Sequence, residues 1–159
     1  MSAGISITPA PGGGVHLGLP TELRELVGSL GRQLDELLRD PDAADDPGLA
    51  RLFPPAAMDD PMQALGFEQL MGQAIRDGKL ESAAILQATA NASRLTADEA
   101  HSWMRGLNDI RLIIGARLAI TEDTDAEALF ADPLMEQAAI VYVALTELVE
   151  LLVRATDPD

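Results

Sequence analysis

Cysteine is absent from the 159 residues, lysine occurs once, at position 79, and histidine occurs twice. Without cysteine the chain has no disulfide, thiolate metal site, iron–sulfur cluster or thiol nucleophile. The histidines, His16 and His101, stand far apart and in no metal-binding spacing, so neither is expected to bind a metal or to act in catalysis. Cations are scarce as well. Eleven Lys and Arg face 26 Asp and Glu, a net charge of −15. Such a charge repels the phosphate backbone, whose neutralisation supplies most non-specific affinity for nucleic acid. Even the richest basic segment interleaves Arg94, Arg105, Arg111 and Arg117 with Asp98, Glu99 and Asp109. Neither nucleic acid nor a membrane surface is an expected partner.

The start of the chain, Met1-Ser2-Ala3-Gly4-Ile5, lacks the basic and then apolar pattern of an export signal, which makes the cytoplasm the expected location. The longest apolar stretch, Leu134 to Val153, has spanning length but carries Glu136, Glu147 and Glu150. Charges at those positions are costly in hydrocarbon, so it reads as a buried helix.

What is present is apolar material: 47% of residues are hydrophobic, enough for one domain with its own core. Ile5 to Leu19 alternates at period two on either side of Pro9-Ala10-Pro11-Gly12-Gly13-Gly14, which predicts a β-hairpin over 5–19. The glycines lack the Lys-Ser/Thr of a phosphate loop and read as a turn. Leu23, Leu26, Val27, Leu30, Leu34, Leu37 and Leu38 then repeat at spacings of three and four, a helix over 20–39. Gly28 and Gly31 inside it suggest close approach of a second helix. Residues 40–48 form an acidic loop that fails the EF-hand pattern, since Ala44, Asp45 and Arg51 stand where an acid or Asn, Gly and Glu are needed.

Residues 49–155 hold the remaining helices. A turn is expected at 49–53, one helix or two over 61–92, and a short helical segment ending at Phe130. Thr96-Ala97-Asp98-Glu99 is a capping box opening a helix to about residue 119. The last helix, 133–155, is apolar on every face from Ala138 to Leu145, as in a helix at the centre of a bundle or one partly covered by another subunit. The fold expected is all-α, a bundle of five or six helices with an N-terminal hairpin. A symmetric homodimer burying part of Ile140, Val143, Val149 or Leu151 is also expected.

One residue breaks the pattern. At ~100° per residue from Leu107, Trp103 and Ile114 fall on an apolar stripe, and Arg111 falls inside it at about +40°, flanked by Asn108. A guanidinium there needs oxygen partners. Asp109 points the other way, which leaves Asp59 or Asp60 as its expected partners.

Arg51-Leu52-Phe53-Pro54-Pro55-Ala56 with Asp59-Asp60, followed by Trp103-Met104-Arg105-Gly106-Leu107-Asn108-Asp109-Ile110-Arg111-Leu112 and Gly115-Ala116-Arg117-Leu118, resembles an actinobacterial family of small helical proteins catalogued as a domain of unknown function. Members are often encoded beside the adaptor that delivers N-degron substrates to the Clp protease, and some carry a transcriptional-regulator label. The resemblance implies a non-enzymatic interaction or regulatory module linked to proteolysis. The alternative is a DNA-binding regulator working through helix 96–119. The candidate partner or ligand residues are Arg111, Asn108, Asp59, Asp60, Arg51 and Trp103; no cofactor is expected.

Overall fold

Pro20 lacks an N–H and has φ near −60°, so the chain turns into its first helix at the next residue. The computed structural model describes residues 4–40, 52, 61–118 and 133–157. Helix α1 spans Thr21–Arg39, α2 Pro61–Thr89, α3 Ala97–Arg117 and α4 Pro133–Thr156. Strands β1, Ser6–Pro9, and β2, Val15–Gly18, pair antiparallel with Ser6 opposite Gly18 and Pro9 opposite Val15. A single 3-10 turn at Pro11–Gly13 joins them, with Gly12 and Gly13 at φ of 86° and 90°, a conformation that side chains rarely adopt. The glycines form the turn expected of them. Val15 and Leu17 are buried while His16 between them is exposed, the alternation that a pleated strand imposes.

Two expectations need correction. The hairpin gains a third strand, β3, Arg94–Leu95, which pairs antiparallel with β2 to give the order β1-β2-β3. Two residues are too few to show a period, but Leu95 is fully buried and Val15 lies opposite it. Four helices are described where five or six were expected. Part of the difference is that α2 runs unbroken through Asp77-Gly78-Lys79, a segment with no proline to interrupt its hydrogen bonds. The rest falls on 41–51, 53–60 and 119–132, so the expected acidic loop beyond Asp40, the turn around the described Leu52 and the short segment to Phe130 lie outside the described residues.

The helices pack in sequence order, α1 on α2, α2 on α3 and α3 on α4, with β1 and β2 against α4. Gly28 and Gly31 do admit a second helix. A Cβ on Gly31 would lie 3.0 Å from the Leu86 Cβ and 3.2 Å from the Ala83 carbonyl oxygen. Gly106 repeats the device where α3 crosses α2, since a Cβ there would be 2.7 Å from Leu86 Cδ1. Leu86 is thus clasped between two glycines on different helices and is fully buried.

The central helix is α3, not α4. The expected capping box opens it, with Thr96 N donating to Glu99 Oε1 at 2.8 Å and Glu99 N donating to Thr96 Oγ1 at 3.1 Å. Its core-facing residues include Trp103, Leu107, Ile110 and Ile113. Arg24 of α1 fastens the sheet to the helices: its guanidinium donates to the carbonyl oxygens of Leu17, Leu19, Ala90 and Ala92 at 2.5–3.2 Å. Two of those carbonyls lie just beyond the C-terminal end of α2, where a cation is favoured by the helix dipole. Among the described residues no helix is long and apolar enough to cross a membrane.

Candidate interaction surfaces

Arg111 and Asn108 come together as one unit on α3. The Arg111 Nη2 donates to Asn108 Oδ1 at 2.6 Å, and both residues are half-buried. Arg105 repeats the pattern, its Nη2 donating to Ser102 Oγ at 3.2 Å, again three residues back. Arg111 thus has one oxygen partner on its own helix. Asp59 and Asp60, expected as its partners, and Arg51 lie outside the described residues. Trp103 is fully buried, and its indole Nε1 donates to Thr89 Oγ1 at 2.7 Å. The structure makes it a core residue joining α3 to α2.

The acid on the opposite side of α3 is the group that the sequence pattern missed. Asp109 faces α2, where the only lysine, Lys79, donates to its Oδ1 at 2.9 Å. Burial pushes the Asp109 carboxyl above its ordinary value of 3.8, although the Lys79 hydrogen bond and the positive charges of Lys79 and Arg105 pull the other way. The clue lay in α3 itself. Asp109 sits one turn from Gly106 and Ile113, so the side of the helix that seems polar is a second packed face. Lys79, Asp109, Arg105, Asn108 and Ser82 line a pocket of about 350 Å³ between α2 and α3. Among the described residues no group of three or more His, Cys, Asp or Glu is placed to hold a metal ion.

A larger and more apolar groove, about 570 Å³, lies where α1, α3 and α4 meet. Leu26, Leu30, Leu34 and Leu37 form one wall, Ile110, Ile113 and Ile114 the floor, and Ala138 and Val141 the other wall. Gln33, Glu36, Asp40, Arg117 and Gln137 stand around it. The three helices converge here because the α1 stripe is wider than α2 alone can cover. The chemistry of this groove is apolar contact, not proton transfer or metal binding.

The family model of DUF2017, described as a domain of unknown function, matches residues 5–156. The chain belongs to that family. No curated protein and no solved structure matches it. The DUF2017 match takes in the sheet and all four described helices, so the groove and the α2–α3 pocket are both features of the matched domain. Of the two segments that carried the resemblance, 103–118 forms the central helix, whereas 51–60 lies outside the described residues apart from the buried Leu52.

Proposed function

We propose that this DUF2017 protein is a non-enzymatic interaction module whose groove between α1, α3 and α4 receives an apolar segment of a protein partner. The observation that carries the reading is the groove itself, about 570 Å³ walled by aliphatic side chains. Pockets of this size and lining accept one or two large apolar anchors with a polar rim around them. The net charge of −15 favours a segment that brings basic residues beside its apolar ones. The resemblance to a family of actinobacterial proteins, encoded beside the Clp N-degron adaptor, supports regulated proteolysis in the cytoplasm as the setting.

Site-specific photo-crosslinking tests this. A photoreactive side chain at Gln33 or at Gln137, on opposite lips of the groove, should capture one and the same polypeptide. The same group at Glu22, in the exposed first turn of α1, should not, and Leu37→Glu in the groove wall should abolish capture at both lips. Equal capture at Glu22, or none at either lip, overturns the reading. The alternative of a DNA-binding regulator working through α3 is less well supported, because Ala100, Trp103, Gly106, Leu107, Ile110 and Ile113 commit one whole side of that helix to the core. Specific, strongly salt-dependent retention of DNA in a filter-binding assay would favour it instead.

A further inference from the structure

Among the described residues the large hydrophobic side chains left exposed are Ile140, Val143 and Val153, all on α4 and 51%, 51% and 48% exposed. Scattered exposed aliphatics need no explanation, but two of these, Ile140 and Val143, lie in a pattern. Glu136, Ile140, Val143, Glu147, Glu150 and Arg154 are all exposed and follow one another at spacings of 4, 3, 4, 3 and 4. The alternation of four and three is that of a coiled-coil seam, and it keeps to one face of the helix for about 27 Å. It is a different face from the one bearing Gln137, Ala138 and Val141, which line the groove.

We infer that this seam docks a basic amphipathic helix of a protein partner. The apolar step, Ile140 with Val143, calls for two aliphatic residues facing it, and Glu136 before it and Glu147 and Glu150 after it call for Lys or Arg. A partner helix carrying two aliphatics three residues apart, with a basic residue four positions to one side and two more four and seven positions to the other, matches the seam from Glu136 to Glu150 in either direction. A second copy of this chain does not match. In a parallel pair, Glu136, Glu147 and Glu150 each meet their own like charge. An antiparallel register that sets Ile140 against Val143 brings Glu136 against Glu147. The register that pairs Glu136 with Arg154 presses Glu150 onto Ile140 and Glu147 onto Val143. Net repulsion between two copies at −15 acts in the same direction.

The inference shares with the proposed function only the idea of a protein partner, and its test uses no groove residue. The probe is a synthetic helical peptide of about six turns with leucines at the two apolar positions and lysines at the three basic ones, beside a twin in which glutamates replace the lysines. Fluorescence anisotropy with the full-length protein should show the lysine peptide binding at least about tenfold more tightly than its twin. Glu147→Lys with Glu150→Lys should reverse that preference although the protein remains strongly acidic overall, which separates seam recognition from general attraction. Val143→Ser should weaken the lysine peptide by about tenfold or more, with an unchanged circular-dichroism spectrum. Equal binding of the two peptides, or a preference unaffected by the double reversal, overturns the inference. So does a dimer in sedimentation that Ile140→Glu dissociates, because the symmetric pairing expected from the sequence would then own this face. Loss of groove crosslinking at Gln33 with seam binding intact would sink the proposed function and leave this inference standing.

Discussion

Helices α1 and α4 are both rich in aliphatic residues, and they use them differently. In α1, Val27, Leu30, Leu34 and Leu38 are buried, Leu23, Leu26 and Leu37 are half-buried, and no large hydrophobic side chain is exposed. In α4, Leu145, Leu148 and Leu152 are buried, yet Ile140, Val143 and Val153 face solvent. The apolar stripe of α1 is about as wide as the arc that its neighbours cover. That of α4 is wider, since α3 and the sheet pack against it and still leave Ile140, Val143 and Val153 uncovered. An amphipathic helix whose apolar width equals its covered arc is accounted for by folding. Apolar residues beyond that arc add nothing to this fold, and they are where a partner should be sought.

The largest effects should come from the covered sides, where the two helices ought to behave alike. Leu34→Ala on α1 and Leu148→Ala on the inner face of α4 each remove a side chain that is 2% or less exposed. Each should cost about 2–5 kcal/mol in urea unfolding, from lost burial and the cavity left behind. A loss below 1 kcal/mol for Leu148→Ala alone would mean that α4 is held less firmly than α1, and its exposed residues would then reflect loose packing. The glycines of α1 sharpen the same comparison. A Cβ on Gly28 would meet Ala90 Cβ at 3.4 Å, an ordinary contact, whereas one on Gly31 would meet Leu86 Cβ at 3.0 Å and the Ala83 carbonyl oxygen at 3.2 Å. Gly31→Ala should therefore destabilise by about 1–3 kcal/mol through overpacking, and Gly28→Ala should stabilise by about 0.4–1 kcal/mol through the unfolded chain. Thermal melts of the two variants giving the same sign would break the claim that α1 and α2 are closely fitted at Gly31.

Much of this architecture was legible in the sequence, and the parts that were not share a physical cause. The hairpin with its glycine turn, α1 and the Thr96 capping box each carry a local signal of period, turn chemistry or cap, and local signals survive folding. Strand β3 and the Lys79–Asp109 pair are set by which element lies opposite, β2 for the one and a neighbouring helix for the other, and neither a two-residue strand nor a lone acid announces its neighbour. Arg111 shows both sides. Its partial burial in an apolar stripe was readable from the spacing, and one oxygen that it finds, Asn108 Oδ1, lies on the same helix. Arg76 of α2 reaches the Leu38 carbonyl oxygen of α1, and Arg24 joins separate elements more extensively, bonded to four carbonyl oxygens. It went unmarked because an arginine early in an amphipathic helix looks like ordinary solvent-facing charge.

Asp109 is the buried charge of the α2–α3 joint, and its pH dependence tests whether burial or pairing dominates there. With its carboxyl raised above 3.8, the native state holds this proton more tightly than the unfolded chain. Between 3.8 and the raised value, the contribution of Asp109 to stability therefore falls as pH rises, and above that window it stays unfavourable relative to the protonated form. Asp109→Asn has no such proton. Urea unfolding from pH 3.5 to 7 should show the wild type losing stability relative to the Asn variant as pH increases. A relative gain would mean that the Lys79 pair outweighs the burial it sits in.

The smallest expected change in stability carries the most weight for the comparison of α1 with α4. Ile140→Ser and Val143→Ser replace side chains that are about half exposed and that face no other described helix. Each should shift unfolding by no more than about 0.5 kcal/mol, with helix propensity accounting for part of it, since Ser, Ile and Val differ little in a helix interior. Folding alone would then give no reason for aliphatic residues at those two positions. Losses of 1.5 kcal/mol or more would show that both side chains are covered in the folded monomer, and α4 would become a helix like α1, fully explained by its own core. Near-neutral stability combined with lost peptide binding separates the two helices on experimental grounds: α1 spends its apolar surface on the fold, and α4 keeps part of it for a partner.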